Sequence, residues 1–508
     1  MLKKLDNKLF FFIIPLSLGV ISSFSLPPYN IFVLNFFTFP FLLIFFISNS
    51  YQSKWRLFLI GWLFGFGYFV SNIYWITNSL TFEEIFSPLI PIVIFLIPSF
   101  LALFYGLITF ICSFLNLEKK YSSILIFAVI FSLVEFLRGN ILGGFPWNLI
   151  AYSWSEYTSF IQILSIIGTY SFNLLSVTFF LVPALIFFNQ SQFSKILIVI
   201  FSLFSIGANL YFGKNLINKY DDAELINLNT SIKIIAPKIE INRFFQNEEP
   251  KIIINELIEL SKPEERKETL FIFPEGVLTN IYLEDLNIYK ENFKENFSEN
   301  HKIILGINSQ TDLQIYNSLV VLDNNLNILG KYNKNKLVPF GEFIPFENIF
   351  SKFGLKKITQ GYQSFSNDDG RKVIEINNIK FLPLICYEII YTGNLNKSEE
   401  QFDFIINISE DGWFGNSIGS DQHFSHSIFR SIEEGKNLIR SANNGISAHI
   451  NSIGQVMSKI ESTERGVLET KYFKKLPKTI FSKYGNKIFF YFLIFYIILI
   501  FFLKKRKI

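Results

Sequence analysis

Up to about residue 213 the chain consists of long apolar runs with few charges between them. A bilayer-spanning helix needs roughly 20 mostly apolar residues. Runs near 8–25, 30–48, 57–77, 88–115, 122–138, 159–188 and 194–212 meet or approach that length, and an eighth lies near 487–503. The first is too long and too aromatic for a signal peptide and lacks a small-residue cleavage site. Charges are frequent only from about 213 to 487. The chain is therefore expected to divide into a seven-helix membrane domain (1–215), a water-facing domain (216–482), and a last helix with a basic tail (483–508).

Composition agrees with that division. Half of the 508 residues are apolar and 18% are aromatic, and the mean hydropathy is +0.34. The net charge of +4 is small for this length, which argues against nucleic-acid binding. Of the two cysteines, Cys112 lies in an apolar run and Cys386 in the polar region, so no disulfide framework is expected.

Orientation follows from the basic residues. With eight spans, Lys3, Lys4 and Lys8, then Lys54 and Arg56, Lys119 and Lys120, Lys195, and finally Lys504 to Lys507 all fall on one side. That side is the cytoplasm, and residues 216–482 then face outward, into the periplasm of a two-membrane bacterium. One outward loop carries Glu135, Arg138, Gly139, Gly143, Gly144, Phe145, Pro146 and Trp147. It reads either as an interfacial turn with a Trp anchor or, since charge at membrane depth is costly and often functional, as a loop facing a headgroup or substrate.

The water-facing part alternates β-rich runs with helix-permitting stretches. Strands are expected at 231–236, 269–273, 302–308, 317–323, 326–332, 379–386, 403–408 and 446–452. Asp323, Asn324 and Asn325 read as a hairpin turn. Helices are expected at 250–262 and 424–441. Interleaving of this kind indicates an α/β or layered-sheet domain, and about 260 residues suffice to bury a core.

The chemistry narrows by exclusion. His423 and His426 are three apart, but no HExxH or Cys–His cluster accompanies His301, His423, His426 and His449, so no metal is expected. No phosphate-binding Gly motif is present. What remains is Cys386, at the end of an apolar strand. A lone Cys is commonly a small buried hydrophobe; as a nucleophile it needs a base and a positive charge. Glu275 ends the apolar run 269–273, where partial desolvation favours a base. Lys334 enters the Pro/Gly-shaped loop that holds Glu342. Each is equally an ordinary strand-end or solvated charge when taken alone.

Together these residues resemble a known family. Pro274-Glu275, Lys334 within KxxLVPFGE, and Cys386-Tyr387-Glu388 resemble the Glu–Lys–Cys set of the carbon–nitrogen hydrolase (nitrilase) superfamily. The eight-span pattern, the RGxxxxGFPW loop and LVPFGEFIP resemble the apolipoprotein N-acyltransferases of bacterial inner membranes. Asp411 to Gly415, Gln422 to Phe424, and Arg440 to Ile446 continue the likeness in order. The resemblance implies an αββα nitrilase-like sandwich, with Glu275 as general base, Lys334 at the oxyanion and Cys386 as acyl carrier. Glu342, Tyr387 and Glu388 match further functional positions. It implies a phospholipid donor, the α-amine of an S-diacylglyceryl-cysteine lipoprotein as acceptor, no cofactor, and action as a monomer. Two departures stand out: residues 237–245 lack the lid tryptophan, leaving Phe244 or Phe245 in its place, and Glu410-Asp411 replaces Asn-Asp. A lid is expected to move near 340–365. The alternatives are a membrane-tethered amidase using the same triad with water, and a non-enzymatic scaffold.

Overall fold

The computed structural model describes residues 8–246, 248–344, 364–368, 370–393, 395 and 400–505. Most of the 340–365 stretch lies outside them. The chain divides into two compact units, one formed by Met1–Thr77, Ile85–Asn218 and Thr479–Ile508, the other by Asn78–Glu84 and Lys219–Lys478. The inclusion of Asn78–Glu84 in the second unit is not signalled in the sequence, because the segment is short and flanked by apolar runs.

The first unit is helical. Six helices among the described residues are long and apolar enough to cross a membrane: Lys54–Leu80, Glu84–Cys112, Tyr121–Arg138, Leu164–Phe187, Gln192–Asp221 and Lys487–Lys505. Leu9–Ser23 and Phe32–Ser48 are apolar but shorter. Lipid supplies no hydrophobic force between helices, so small residues that permit close contact hold them together. A Cβ at Gly61 would lie 2.2 Å from the Tyr105 carbonyl oxygen. Glu135 and Arg138 are each 1% exposed and form a 2.6 Å ion pair, and Arg138 also donates to the Phe145 carbonyl. Trp147 is buried against Trp75. The two charges expected in a loop thus lie in the last turn of the helix Tyr121–Arg138 and neutralise each other.

The second unit holds two six-stranded sheets. Numbered in chain order, β1 (Leu225–Ala236), β2 (Thr269–Ile272), β3 (His301–Gln310), β4 (Ile315–Leu322) and β5 (Ile328–Asn333) are followed by β6 (Ile374–Ile376), β7 (Ile379–Ile385), β8 (Phe404–Glu410), β9 (Asn437–Asn443), β10 (Ser447–Ile450), β11 (Val456–Ile460) and β12 (Gly466–Lys474). The sheet orders are β12-β1-β2-β3-β4-β5 and β11-β10-β9-β8-β7-β6. In each, the middle strands β1–β2–β3 and β7–β8–β9 run parallel. Such strands are covered on both faces, and every residue of β2 and β8 is buried. The crossover helix Pro250–Ser261 packs Ile253, Ile254, Leu257 and Ile258 onto a core with Phe271, Ile303 and Leu305. Ser441 on β9 donates to the carbonyls of Ile235 and Ile272, joining the sheets.

All eight expected strands have counterparts. The hairpin turn forms as read, with Asp323 Oδ1 accepting the N–H groups of Asn325 and Asn327. The helix expected at 424–441 is corrected: it runs Gly419–Glu434, is closed by Gly435 at φ 62°, and is followed by β9. The reason is burial. Asn437, Arg440, Ser441 and Asn443 are polar yet inside, so β9 carries no apolar alternation to betray it.

Candidate active site

The candidate residues sit where strands end. β2 leads to Glu275, β5 to Lys334, β7 to Cys386 and β8 to Asp411. Carboxyl ends of parallel strands are where open α/β sheets place their ligands.

Lys334 is 1% exposed and lies between two carboxylates, with Nζ 3.1 Å from Glu275 Oε1 and 2.9 Å from Glu342 Oε1. Asn317 on β4 donates its amide to the same two oxygens, at 2.6 and 2.9 Å. Glu275 Oε2 accepts the backbone N–H of Glu410 at 2.9 Å. Glu342 Oε2 accepts that of Val338. Burial alone would lower the Lys334 pKa, but Glu275 and Glu342 outweigh it and hold the ammonium well above its usual range.

Cys386 follows β7 at φ 48°, a left-handed conformation unusual for a non-glycine residue. Burial pushes its thiol pKa up, and the Glu275 charge adds to this; Lys334 and a Ser409 hydrogen bond pull it down. The thiol is therefore neutral near pH 7 and needs a base to react. Glu388 is fully buried. Its Oε1 accepts from the Tyr332 hydroxyl (2.6 Å) and from the backbone N–H groups of Asn335 and Lys336, and pairs with Arg371. Its Oε2 accepts the Ile385 N–H (2.9 Å). One carboxylate thus ties the lysine loop to the cysteine turn. The Tyr387 ring packs edge-on against Tyr391.

The structure brings Glu275, Lys334 and Glu342 into one bonded cluster, of which the Glu275 and Lys334 charges act on Cys386. Sequence reading passed over Asn317, which on β4 looks like one more polar residue facing out. It also gave no role to Ser409 or Arg243.

The loop at 237–245 is held by a second buried network. Arg243 pairs with Glu410 and donates to the Gly276 carbonyl at 3.0 Å. Asn443 donates to the same Glu410 carboxylate at 2.7 Å and to the Ile239 carbonyl at 2.8 Å. Both phenylalanines in place of the lid tryptophan face Trp413: Phe244 at 5.0 Å and Phe245 at 6.3 Å between ring centres. Phe82, from the segment Asn78–Glu84, closes on Trp413 at 5.8 Å. Cys386, Asp411 and His423 bring sulfur, oxygen and nitrogen atoms within 4.8 Å of one another. They do not fit a cation, because the Arg440 guanidinium already lies 2.8 Å from the Asp411 carboxylate and 3.0 Å from His423 Nδ1.

Residues 18–182 match the family model of the apolipoprotein N-acyltransferase N-terminal domain, and residues 293–471 match that of carbon–nitrogen hydrolases. A curated apolipoprotein N-acyltransferase of Rhizobium rhizogenes is 30% identical over 89% of this chain and 88% of its own length. That of Rickettsia prowazekii is 32% identical over 93% of this chain and 94% of its own. The chain belongs to the apolipoprotein N-acyltransferase family. Among solved structures, a CN-hydrolase superfamily protein from Xanthomonas campestris is similar over 49% of this chain and 91% of its own, with 14% identity and a TM-score of 0.34. Lys334, Glu342 and Cys386 lie within the carbon–nitrogen hydrolase match, while Glu275 precedes it.

Proposed function

We propose that the chain is an N-acyltransferase that moves a fatty acyl group from a membrane phospholipid, by way of Cys386, to the α-amine of an S-diacylglyceryl-cysteine lipoprotein. The observation that carries this is membership of the apolipoprotein N-acyltransferase family over about nine-tenths of the chain. The bonded cluster of Glu275, Lys334 and Glu342, with the Glu275 and Lys334 charges acting on the buried Cys386 thiol, supports the mechanism.

In the first half-reaction Glu275 takes the Cys386 proton as sulfur attacks the ester carbonyl. Lys334 faces the oxygen on which negative charge develops, the kind of pre-placed charge that lowers such barriers most. The ester C–O bond breaks, Glu275 gives its proton to the departing lysophospholipid oxygen, and a thioester remains. In the second, the amine attacks the thioester, its proton passes to Glu275, and the C–S bond breaks. That proton returns to sulfur. Two acyl transfers replace one difficult amide synthesis. Glu342 and Asn317 keep Lys334 and Glu275 in register; Glu388 and Tyr387 support the cysteine turn.

Around this site we read eight spans, the two shorter apolar helices completing the six long ones, and a membrane domain over 1–215 with a last helix beyond 483. The domain between them is read as an αββα sandwich facing the periplasm of an inner-membrane monomer. The amidase alternative leaves the match over residues 18–182 without a purpose.

The test is incubation of the purified chain with phospholipid and an S-diacylglyceryl-cysteine peptide. One acyl group added to the free α-amine, with an equal yield of lysophospholipid, is expected. Acylation undiminished on an N-acetylated peptide, or ammonia release from small amides without transfer, would refute the assignment.

A further inference from the structure

Arg371, just ahead of β6, takes no part in the steps above, yet it meets the carboxylate that joins the lysine loop to the cysteine turn. Its side chain is 10% exposed, and its Nη2 lies 3.2 Å from Oε1 of the fully buried Glu388. Its Nη1 donates to the Leu395 carbonyl at 2.8 Å. The guanidinium stands 5.9 Å from the centre of the Tyr332 ring. A flat, forked cation can hold several partners at once, and this one touches β5, the turn after β7 and the chain beyond that turn.

Glu388 gathers its other bonds from both sides of the site. Its Oε1 takes the Tyr332 hydroxyl and the N–H groups of Asn335 and Lys336, which flank Lys334; its Oε2 takes the N–H of Ile385, which precedes Cys386. All of these donors are neutral. A carboxylate at this depth needs a counter-charge to stay in place, and among the described residues Arg371 is the one cation that pairs with it. The bonds nearby run the same way. Asp368 donates its N–H to the Lys334 carbonyl at 3.3 Å, and Phe365 donates its own to the Glu342 carbonyl at 2.9 Å. The Asn335 amide donates to the Asp368 carbonyl, and that of Asn333 to the Asp368 carboxylate at 3.1 Å. The stretch that ends in Arg371 is thus bonded along the lysine loop and anchored at the cysteine turn.

We propose that Arg371 is a positioning residue for the acyl transfer: by holding Glu388 in place, it fixes the spacing between the Lys334 ammonium and the Cys386 sulfur. This rests on the reading of Cys386 as nucleophile and of Lys334 as the partner of the oxyanion. Arg371 acts through Glu388 and exchanges no proton with substrate. Without it the Glu388 carboxylate is drawn towards water, and the N–H groups that it gathers from the two loops part.

The readout is acyl-enzyme formation from phospholipid, followed by mass against time over a range of donor concentrations, with melting temperature alongside. Arg371→Met removes the charge. It is expected to slow acylation at saturating donor by ~10–100-fold, the scale of an ångström-level misplacement, at unchanged half-saturating donor. Arg371→Lys returns a cation to Glu388 without the fork and is expected to recover part of that loss. Should Arg371→Met not fold, Arg371→Gln takes its place with the same expectation. The deciding comparison repeats the substitution in Lys334→Met. If Arg371 works by placing Lys334, its removal there costs less than about 3-fold, whereas a merely structural residue costs the same factor in both backgrounds. Wild-type rates in Arg371→Met, an equal factor in both backgrounds, or no recovery in Arg371→Lys would overturn the proposal. Cys386→Ala and Lys334→Met alone report on the underlying reading: an adduct on the first, or wild-type acylation by the second, refutes that reading whatever the Arg371 variants do.

Discussion

Lys334 is the residue on which the site's electrostatics turn. It is buried between two carboxylates and an amide, so its removal leaves two negative charges in a space built for one positive charge. Breaking a buried ionic set by deleting one partner costs about 3–5 kcal/mol. Lys334→Met is therefore expected both to lower the melting temperature and to cut acyl-enzyme formation by at least about 100-fold. A loss of stability with acylation intact would deny Lys334 any part in the chemistry. Glu275→Gln is the milder change, since it can still accept from Asn317. It removes the proposed base, and acylation is expected to fall by ~10²–10⁴-fold with little change in melting. Rates near wild type at neutral pH would show that another group takes the thiol proton. At this scale the sequence pointed to residues that the structure brings into contact, Lys334 with Glu275 and Glu342. Glu275, Lys334 and Cys386 are the residue types that thiol acyl transfer demands, each at an apolar run's end. Asn317 and Arg243 were not legible, since nothing local distinguishes a polar residue that bridges two catalytic candidates from one that meets water.

Among the elements, β3 shows how tightly the sheet sets the site. A Cβ at Gly306 would lie 2.5 Å from Glu275 Cα and 2.7 Å from the Pro274 carbonyl oxygen, both backbone atoms that cannot swing aside. Gly306→Ala is expected to displace Glu275 and slow acylation by about 10–100-fold in a unit that still folds; an unchanged rate would mean that the base has slack. The loop at 237–245 poses the converse case. Its pairing with Glu410 is buried at both ends, and burial raises the Glu410 pKa against the pull of Arg243. Arg243→Met is expected to lower melting and loosen this loop, and addition of Glu410→Gln to recover part of the loss, as measured by thermal unfolding of the single and double variants. No recovery would show that Arg243 acts through its bonds to the carbonyls of Ile239, Glu240 and Gly276. Among the parallel strands, β1, β2, β3, β7 and β8 were legible as apolar runs, because both their faces are covered. The short β6 and the partly exposed β11 and β12 were not, for they lack both an apolar run and strict alternation. β9 was hidden because its buried side chains are polar, Arg440 and Asn443 meeting Asn407 and Glu410 of β8 and Ser441 meeting the carbonyls of Ile235 and Ile272.

For the molecule as a whole, the division into an apolar helical unit and a polar sheet unit was legible from charge alone. The capture of Asn78–Glu84 by the second unit was not. The sheet unit also carries a pH signature. Burial lowers the pKa of His449 on β10 from 6.5 to about 4. Its folded pKa is depressed, so its contribution is complete above pH 6.5 and is lost as pH falls from 6.5 towards 4, by roughly 3 kcal/mol in all. His449→Gln is expected to flatten the acid limb of the melting-temperature profile; an unaltered limb would place the acid sensitivity elsewhere. The central claim concerns a covalent intermediate, and intact-protein mass spectrometry tests it most directly. The wild-type chain and Cys386→Ala are each incubated with phospholipid and no acceptor. A gain of one acyl chain, removable by hydroxylamine and absent from Cys386→Ala, is the predicted result. An equal adduct on Cys386→Ala, or no wild-type adduct under conditions where acyl transfer to an added lipopeptide proceeds, would contradict it.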